Sequence, residues 1–394
     1  MKKDWKYKKL GEVCSSDLGK TLNQSKDTGT PRPYLCAINV LWDKVDLTTL
    51  KQTKFEDSEL ERYTVRKGDL LVCEGGDIGR AAIWDKDETI QYQNALHRIR
   101  FNDEVLPRFC LLHLLALKNR GELDHKYGKG VTIKHLVKSS LLSIPIPVPS
   151  IEEQQQIVAE LDLLSDVIEK QKAQIEELNK LAHSIFYDMF GDPVTNEKGW
   201  EVKNLKDIAV KIGSGATPRG GNQSYKDEGI SLIRSMNVHN NDFVYDDLAF
   251  IDDEQATQLN NVIVESNDVL LNITGASVAR CCIVPDDVLP ARVNQHVCII
   301  RPNTDLANSI YLNRFFTSIE EQSVLLLLSR SNAATREALP KNLLENCRIV
   351  LPPFSLQQEF AAKIEAIEAM KAKVRQSLKE SETLFNSRMD YYFN

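Results

Sequence analysis

The sequence predicts an α+β protein in which two mixed α/β domains form a tandem pseudo-repeat and are separated by two long helices that pair as an antiparallel coiled coil. Three observations predict this fold class. The two halves of the chain match each other in order, each half ends in a long heptad pattern, and an extended proline-containing segment precedes each heptad pattern. With 394 residues, the chain is long enough for two domains with hydrophobic cores of their own.

The internal repeat is the strongest of these observations. Its matched segments keep their order along the chain, and the offset between the copies drifts only from 195 to 203 residues. So many ordered matches predict that both halves adopt the same fold. The matched pairs are residues 5–13 with 200–208, 36–40 with 234–238, 69–72 with 268–271, 93–94 with 294–295, 146–159 with 349–362, and 184–190 with 387–393.

Proline and glycine mark the boundaries between the domains and the helices. Residues 144–149 carry proline at alternate positions, so this segment must be extended and cannot be helical. The sequence Gly191-Asp192-Pro193 ends the first heptad pattern and starts the second copy. We therefore predict a first domain over residues 1–150, a first helix over 151–192, a second domain over 193–352 and a second helix over 353–394.

Apolar residues recur at alternating spacings of four and three in both predicted helices, which is typical of a coiled-coil seam. At about 1.5 Å per residue, each helix would be roughly 55 Å long. One seam position of the first helix is polar, and such a residue fixes the register of a coil at some cost in stability. The predicted seam comprises Ile157, Leu161, Leu164, Ile168, Gln171, Ile175 and Leu178 in the first helix, and Phe360, Ile364, Ile367, Val374 and Leu378 in the second, with polar breaks at Lys371, Ser381 and Arg388.

Charge is distributed unevenly along the chain. The net charge is −7, yet residues 1–150 carry 25 basic against 20 acidic side chains, a net of +5. Residues 193–352 carry 15 basic against 20 acidic side chains, a net of −5. A nucleic-acid surface on the second domain would therefore have to be a local basic patch.

Motif content argues against catalysis by this chain. A segment that ends like a phosphate-binding loop has Cys14 where the first glycine is required, and the proline-containing tetrad of amino-methyltransferases is absent. We therefore expect a non-catalytic chain without a metal site. No apolar N-terminal segment resembles a signal peptide, so we expect a cytoplasmic protein.

Two equivalent domains held apart by helices suit a target with two separated half-sites, and duplex DNA is such a target. Four polar loop regions in each copy carry side chains that can contact base edges or phosphates. A solvated or turn-stabilising role is the alternative for each of these side chains. The candidate DNA-binding residues are Lys20, Thr21, Arg32, Arg80, Gln93, Asn94 and Lys134 in the first copy, and Thr217, Arg219, Arg280, Asn294, Gln295 and Arg336 in the second.

Two other functions stay open from the residues alone. The chain would also fit a coiled-coil scaffold that links two binding modules with no affinity for DNA. It would fit an enzyme whose catalytic motif is not recognisable in the sequence.

Several segments together resemble the specificity subunit of type I restriction-modification systems. The resemblance covers essentially the whole chain, in the order of that family and with its duplicated layout. It is carried by Trp5 with Leu10-Gly11-Glu12-Val13, by residues 146–155, by Met189-Phe190-Gly191-Asp192-Pro193 with Gly199-Trp200, by residues 213–218, and by Pro352-Pro353 with Gln357-Gln358.

The resemblance implies a function and a set of partners. Each half would be a target recognition domain followed by a helical spacer, and the two domains would read the two parts of an asymmetric site in double-stranded DNA. The helices would dock two methyltransferase subunits, which use S-adenosylmethionine to methylate adenine. Restriction subunits that use ATP and Mg²⁺ would join the complex. This chain would itself hold no cofactor.

Overall fold

Helices and strands alternate along both halves of the chain in the computed structural model, which describes residues 5–23, 25, 27–132, 134–218, 220–331 and 337–394. The chain divides into two units, unit 1 with Met1–Lys172 and Ser377–Asn394, and unit 2 with Ala173–Gln376. Each unit contains one mixed α/β domain and a part of both long helices, so the predicted fold class is confirmed. Over the described ranges, no helix has the length and apolar character needed to cross a membrane.

The first half of the chain contains short strands and helices followed by one long helix. These elements are β1 (Lys6–Lys9), α1 (Leu10–Val13), β2 (Cys14–Leu18), β3 (Thr30–Leu35), a 3₁₀ turn (Ala37–Asn39), β4 (Val40–Leu41), β5 (Lys44–Val45), β6 (Lys51–Phe55), α2 (Asp57–Leu60), β7 (Thr64–Val65), β8 (Leu70–Cys73), β9 (Ala81–Ile83), β10 (Ile90–Tyr92), β11 (Leu96–Phe101), α3 (Pro107–Asn119), a π-helical turn (Leu123–Tyr127), α4 (Lys138–Leu142), β12 (Pro145–Val148) and α5 (Ile151–Phe190).

The second half repeats this order. Its elements are β13 (Glu201–Asn204), α6 (Leu205–Ile208), β14 (Ala209–Ser214), a 3₁₀ turn (Gly221–Ser224), β15 (Ile230–Ile233), β16 (Val238–His239), β17 (Asp242–Phe243), β18 (Ala249–Ile251), α7 (Asp253–Thr257), a 3₁₀ turn (Asn260–Val262), β19 (Ile263–Val264), β20 (Val269–Asn272), a 3₁₀ turn (Gly275–Ser277), β21 (Cys281–Ile283), a 3₁₀ turn (Asp286–Val288), β22 (Ala291–Val293), β23 (Val297–Pro302), α8 (Ser309–Phe316), α9 (Ile319–Ser331), α10 (Lys341–Glu345), β24 (Arg348–Leu351) and α11 (Phe354–Phe393).

Unit 1 is built in three layers, which are two four-stranded sheets and the helix α3. One four-stranded sheet has the order β6-β3-β10-β7, and a second has the order β2-β11-β8-β9. Strand β8 is buried on both faces, because Leu71 and Cys73 join the core shared with the first sheet while Leu70 and Val72 join the core that includes α3. A continuous apolar run is the sequence that such a strand requires.

Unit 2 has the same topology with different side chains. Its sheets have the orders β18-β15-β22-β19 and β14-β23-β20-β21, which correspond strand for strand to those of unit 1. In both units a short outer pair, β1 with β12 or β13 with β24, joins the start of the domain to the segment before the long helix. The predicted internal repeat is therefore confirmed as a repeat of structure.

The long helices α5 and α11 run antiparallel within each unit. In unit 1, Arg388 donates to Glu160 over 2.9 Å, and Gln171 donates to the Ser377 hydroxyl over 2.8 Å. In unit 2, the rings of Phe186 and Phe190 pack on that of Phe360, with centroids 5.8 and 5.1 Å apart. Residue numbers thus rise along α5 as they fall along α11.

The predicted seam positions differ in burial along the helices. Ile157, Leu161, Ile168, Phe360, Ile364 and Ile367 are buried, whereas Leu164, Gln171, Ile175, Leu178, Val374 and Leu378 are half-buried. The polar break at Lys371 is buried as well, and its ammonium pairs with Glu368 over 3.0 Å.

A buried glutamine joins each long helix to its domain. In unit 1, the Gln154 carbonyl oxygen accepts from the Leu106 amide over 2.9 Å, and its side-chain amide donates to the backbone oxygens of Glu104 and Pro149. Gln357 makes the equivalent three hydrogen bonds in unit 2, to Asn308, Leu306 and Pro352. Both side chains are fully buried, so the start of each helix is fixed to its own domain.

Candidate nucleic-acid interface

The loops that follow the strands of unit 1 gather at one edge of its domain. Leu18 at the end of β2 pairs with His97 near the start of β11, and Cys73 at the end of β8 pairs with Leu96. The ends of β3 and β10 also lie side by side. Because these strand ends are adjacent, the loops that continue from them are adjacent too. We call the described residues of 19–23, 74–80, 93–95 and 129–136 the loop edge of unit 1.

Backbone hydrogen bonds hold these loops together. The amide of Asn94 donates to the Lys20 carbonyl over 3.1 Å, and the amide of Leu136 donates to the Glu74 carbonyl over 2.7 Å. His135 and Gly75 form an isolated antiparallel β-bridge. Four polar regions that the sequence singled out, which are far apart along the chain, therefore form one surface.

Unit 2 has an equivalent edge. Asn272 at the end of β20 pairs with Val297, and Ser214 at the end of β14 pairs with Cys298. An isolated β-bridge between Thr274 and Ala338 corresponds to the β-bridge between Gly75 and His135 in unit 1. We call residues 214–218, 273–280, 294–296 and 337–339 the loop edge of unit 2.

Lys20 has a structural role that argues against its predicted contact with DNA. Its ammonium is buried and pairs with Glu59 over 2.6 Å and with Asp27 over 3.5 Å. Burial by itself lowers the pKa of Lys20, but the hydrogen bond and charge of Glu59, helped by Asp27, outweigh it and raise that pKa. The positive charge is thus neutralised inside the domain.

The other predicted residues of unit 1 differ in their exposure and hydrogen bonding. Lys134 is exposed, and no ion pair is formed by it among the described residues. The side-chain amide of Asn94 donates to the Thr21 hydroxyl over 3.3 Å at the surface, beside the half-buried Gln93. Arg32 is half-buried on β3, and its Nε has no hydrogen-bond partner in the described part of the chain.

The predicted residues of unit 2 divide into structural and accessible side chains. Asn294 is buried, and its side-chain oxygen accepts from the His296 amide over 3.0 Å, so it shapes the turn. Thr217 and Gln295 are in contact through their side chains at the surface. Arg280 is half-buried at the loop edge. The predictions for Arg219 and Arg336 fall outside the described residues.

Two side chains at or beside the loop edges were not predicted. Met236 is 42% exposed beside Arg280, where it lines an open cavity of about 400 Å³. Glu74 is half-buried, and burial raises the pKa of its carboxyl, an effect that the charge of His135 partly offsets. A comparison of the two copies would have indicated Glu74, because its structural equivalent in unit 2 is the apolar Ile273.

A second cavity in unit 2, of about 300 Å³, is lined by apolar and polar residues, among them Glu321, Arg348 and two asparagines. Glu321 is 4% exposed, and the Cys347 thiol donates to it over 3.4 Å. Burial raises the pKa of Glu321 to about 7, although the bond from Cys347 lowers it. The folded chain therefore keeps this carboxyl protonated over a pH range in which the unfolded chain has ionised it.

We expect Glu321→Gln to stabilise unit 2 at pH 8 by about 2–3 kcal/mol and to have little effect near pH 4.5. The folded-state pKa lies above the usual 4.5, so the stability associated with this group is present at low pH and is lost as pH rises from 4.5 through about 7. Glutamine cannot ionise and avoids that loss. Urea unfolding at both pH values measures the effect, with the exposed Glu254→Gln as the control. An equal effect at the two pH values would contradict the expectation.

Comparisons with known proteins agree with this architecture. A family model described as the type I restriction modification DNA specificity domain matches residues 2–180 and again 197–380. The chain is 26% identical over 399 aligned positions to the type I restriction enzyme MjaIX specificity subunit of Methanocaldococcus jannaschii, covering 93% of this chain and 87% of that one. It is 25% identical over 335 positions to the EcoBI specificity subunit of Escherichia coli, covering 78% and 68%.

Solved structures show the same fold at low sequence identity. The crystal structure of the S subunit of a type I restriction-modification system from M. genitalium matches with a TM-score of 0.59 and 14% identity, covering 98% of this chain and 95% of that one. A chain from a structural study of complex assembly and conformational transition in the type I R-M system matches with a TM-score of 0.60 and 18% identity, covering 99% and 97%.

Proposed function

Because the chain belongs to the type I restriction modification DNA specificity family and carries its domain twice, we propose that it binds a bipartite, asymmetric site in double-stranded DNA. One part of the site would be read by the loop edge of unit 1 and the other by the loop edge of unit 2. The same membership favours DNA recognition over the scaffold function that the sequence had left open.

One observation supports the asymmetry of the site. The two loop edges are built on the same strand ends but carry different polar side chains. The turn after β8 reads Glu74-Gly75-Gly76-Asp77, and the turn after β20 reads Ile273-Thr274-Gly275-Ala276-Ser277. Because base edges are distinguished by patterns of donors and acceptors, unlike side chains on like scaffolds select unlike sequences.

The chemistry would lie in partner chains. We propose that two methyltransferase subunits, which use S-adenosylmethionine, dock on the long helices, and that restriction subunits using ATP and Mg²⁺ join them in the cytoplasm. Residues 151–192 carry 3 basic against 10 acidic side chains, a net of −7, which would repel DNA and suits contact with protein. The specificity subunit would position its partners and would catalyse no step itself.

Selection from a pool of duplexes with randomised sequence tests the function. The full chain, alone and with a methyltransferase partner from its host, is incubated with the pool, and the bound duplexes are sequenced. We expect enrichment of two short motifs separated by a constant number of unselected base pairs. A scaffold without affinity for DNA would give no enrichment under either condition.

A further inference from the structure

Arg80 and Arg280 occupy equivalent positions in the two units. Arg80 follows the turn after β8, and Arg280 follows the turn after β20. The backbone carbonyl of Arg80 accepts from the Cys73 amide over 2.8 Å, and that of Arg280 accepts from the Asn272 backbone amide over 2.8 Å. The two arginines therefore share a backbone environment, and any difference between their side chains arises from the surrounding residues.

In unit 1 the guanidinium of Arg80 is used inside the domain. Its Nη2 donates to the carbonyl oxygen of Ala37 over 2.6 Å. The equivalent carbonyl in unit 2 belongs to Ser235, and it accepts instead from the side-chain amide of Asn272 over 2.8 Å. Asn272 occupies the position of Cys73. Its side-chain amide makes the hydrogen bond to this carbonyl that Arg80 makes in unit 1.

The residues around the turn before the arginine also differ between the two units. In unit 1, Asp77 accepts from the Trp42 indole over 3.2 Å and pairs with Lys118 over 2.6 Å. In unit 2, Ser277 stands in place of Asp77, and the charged network is replaced by hydrogen bonds between the neutral side chains of Asn240 and Gln322. Residues 74–80 carry a net charge of −1, whereas residues 273–280 carry +1.

The result is a guanidinium without an internal partner. No hydrogen bond or ion pair is made by the Arg280 side chain in the described part of the chain, although the residue is half-buried. It lines the open cavity of about 400 Å³ together with Thr274, Ser277 and His296. The imidazole of His296 is held in place by the Thr274 hydroxyl at 2.5 Å.

We propose that this cavity of unit 2 binds a backbone phosphate of the DNA, with Arg280 as its cationic ligand and Ser277 as a hydroxyl donor. The proposal rests on the proposed function and specifies its chemistry. A concave site suits a projecting phosphate, since base edges are recessed in the groove and are reached by protruding side chains. The site also supplies the local positive charge that an acidic domain needs in order to approach DNA. In unit 1 the Arg80 guanidinium at the equivalent place already donates to the Ala37 carbonyl, and Asp77 stands where unit 2 has the Ser277 hydroxyl.

The salt dependence of DNA binding tests this proposal. The full chain with its methyltransferase partner, wild type or variant, is titrated with a fluorescent duplex carrying the sequence enriched by the selection described above, at several salt concentrations. For Arg280→Ala we expect binding roughly tenfold to a hundredfold weaker at low salt, and a slope of log affinity against log salt that is smaller by about one. Arg280→Lys keeps the charge and should keep the slope.

A second variant and a second readout separate the possible outcomes. Ser277→Asp places a carboxylate beside the guanidinium, and we expect the same loss of slope without removal of Arg280. An unchanged slope in both Arg280→Ala and Ser277→Asp would overturn the proposal. So would a slope that is kept while selectivity is lost at one base pair, because Arg280 would then read a base. If the wild-type complex enriches no duplex at all, the proposed function itself fails.

Discussion

Replacing Gln357 with leucine is expected to destabilise unit 2 by roughly 3 kcal/mol or more. The substitution leaves the half-buried Asn308 amide and the carbonyl oxygens of Leu306 and Pro352 without their side-chain partner. Each backbone group buried without a hydrogen bond costs about 1–3 kcal/mol. Urea unfolding, combined with hydrogen exchange over residues 354–360, measures the loss and shows whether the start of α11 has detached from its domain.

The chain supplies a matched control next to this residue. Gln358 has the same side chain but is exposed, so Gln358→Leu should change stability by less than about 0.5 kcal/mol. Gln154→Leu and Gln155→Leu form the equivalent pair in unit 1, since Gln154 is fully buried and Gln155 is exposed. Equal effects within either pair would refute a role for the buried glutamine in holding the helix to the domain.

The fold could be predicted to the extent that its signals are local or repeated. The spacing of apolar residues such as Leu161 and Ile364 along a helix is a local property, and it indicated both long helices and their shared seam. The order of the strands could not be predicted. Strand β10 pairs in parallel with β3 across more than fifty residues, and no pattern in either strand specifies that partner.

The candidate interface was predictable as a set of regions and much less so as a set of residues. Repetition marked the polar loops in both copies, and strand topology brings those loops together. Whether a charged side chain is available to a ligand depends on its neighbours in space. Lys20 is neutralised by Glu59, which lies 39 residues away along the chain. Arg80 and Arg280 have the same relation to their strands, yet only Arg80 is held by a backbone carbonyl.

Lengthening both long helices by one heptad is expected to lengthen the unread DNA between the two parts of the site by about three base pairs. Seven residues inserted between Lys172 and Ala173, and seven more between Gln376 and Ser377, would add about 10 Å to each helix. A heptad preserves the phase of the seam, so the apolar faces still meet. On B-DNA, at about 3.4 Å per base pair, this length corresponds to three base pairs. Sequencing of selected duplexes, or mapping of methylated adenines in the host, would show the new spacing.

Insertion into one helix alone is the informative control. A single insertion would shift one helix by seven residues relative to the other. The contacts of unit 1, Gln171 with Ser377 and Glu160 with Arg388, could then not form at the same time as the packing of Phe190 on Phe360 in unit 2. We expect that variant to be unstable and to bind DNA weakly, whereas the matched double insertion keeps both recognised motifs unchanged. If the double insertion folds and binds with the original spacing, the helices do not set the distance between the two parts of the site, and that distance must be fixed by the partner subunits or by the DNA itself.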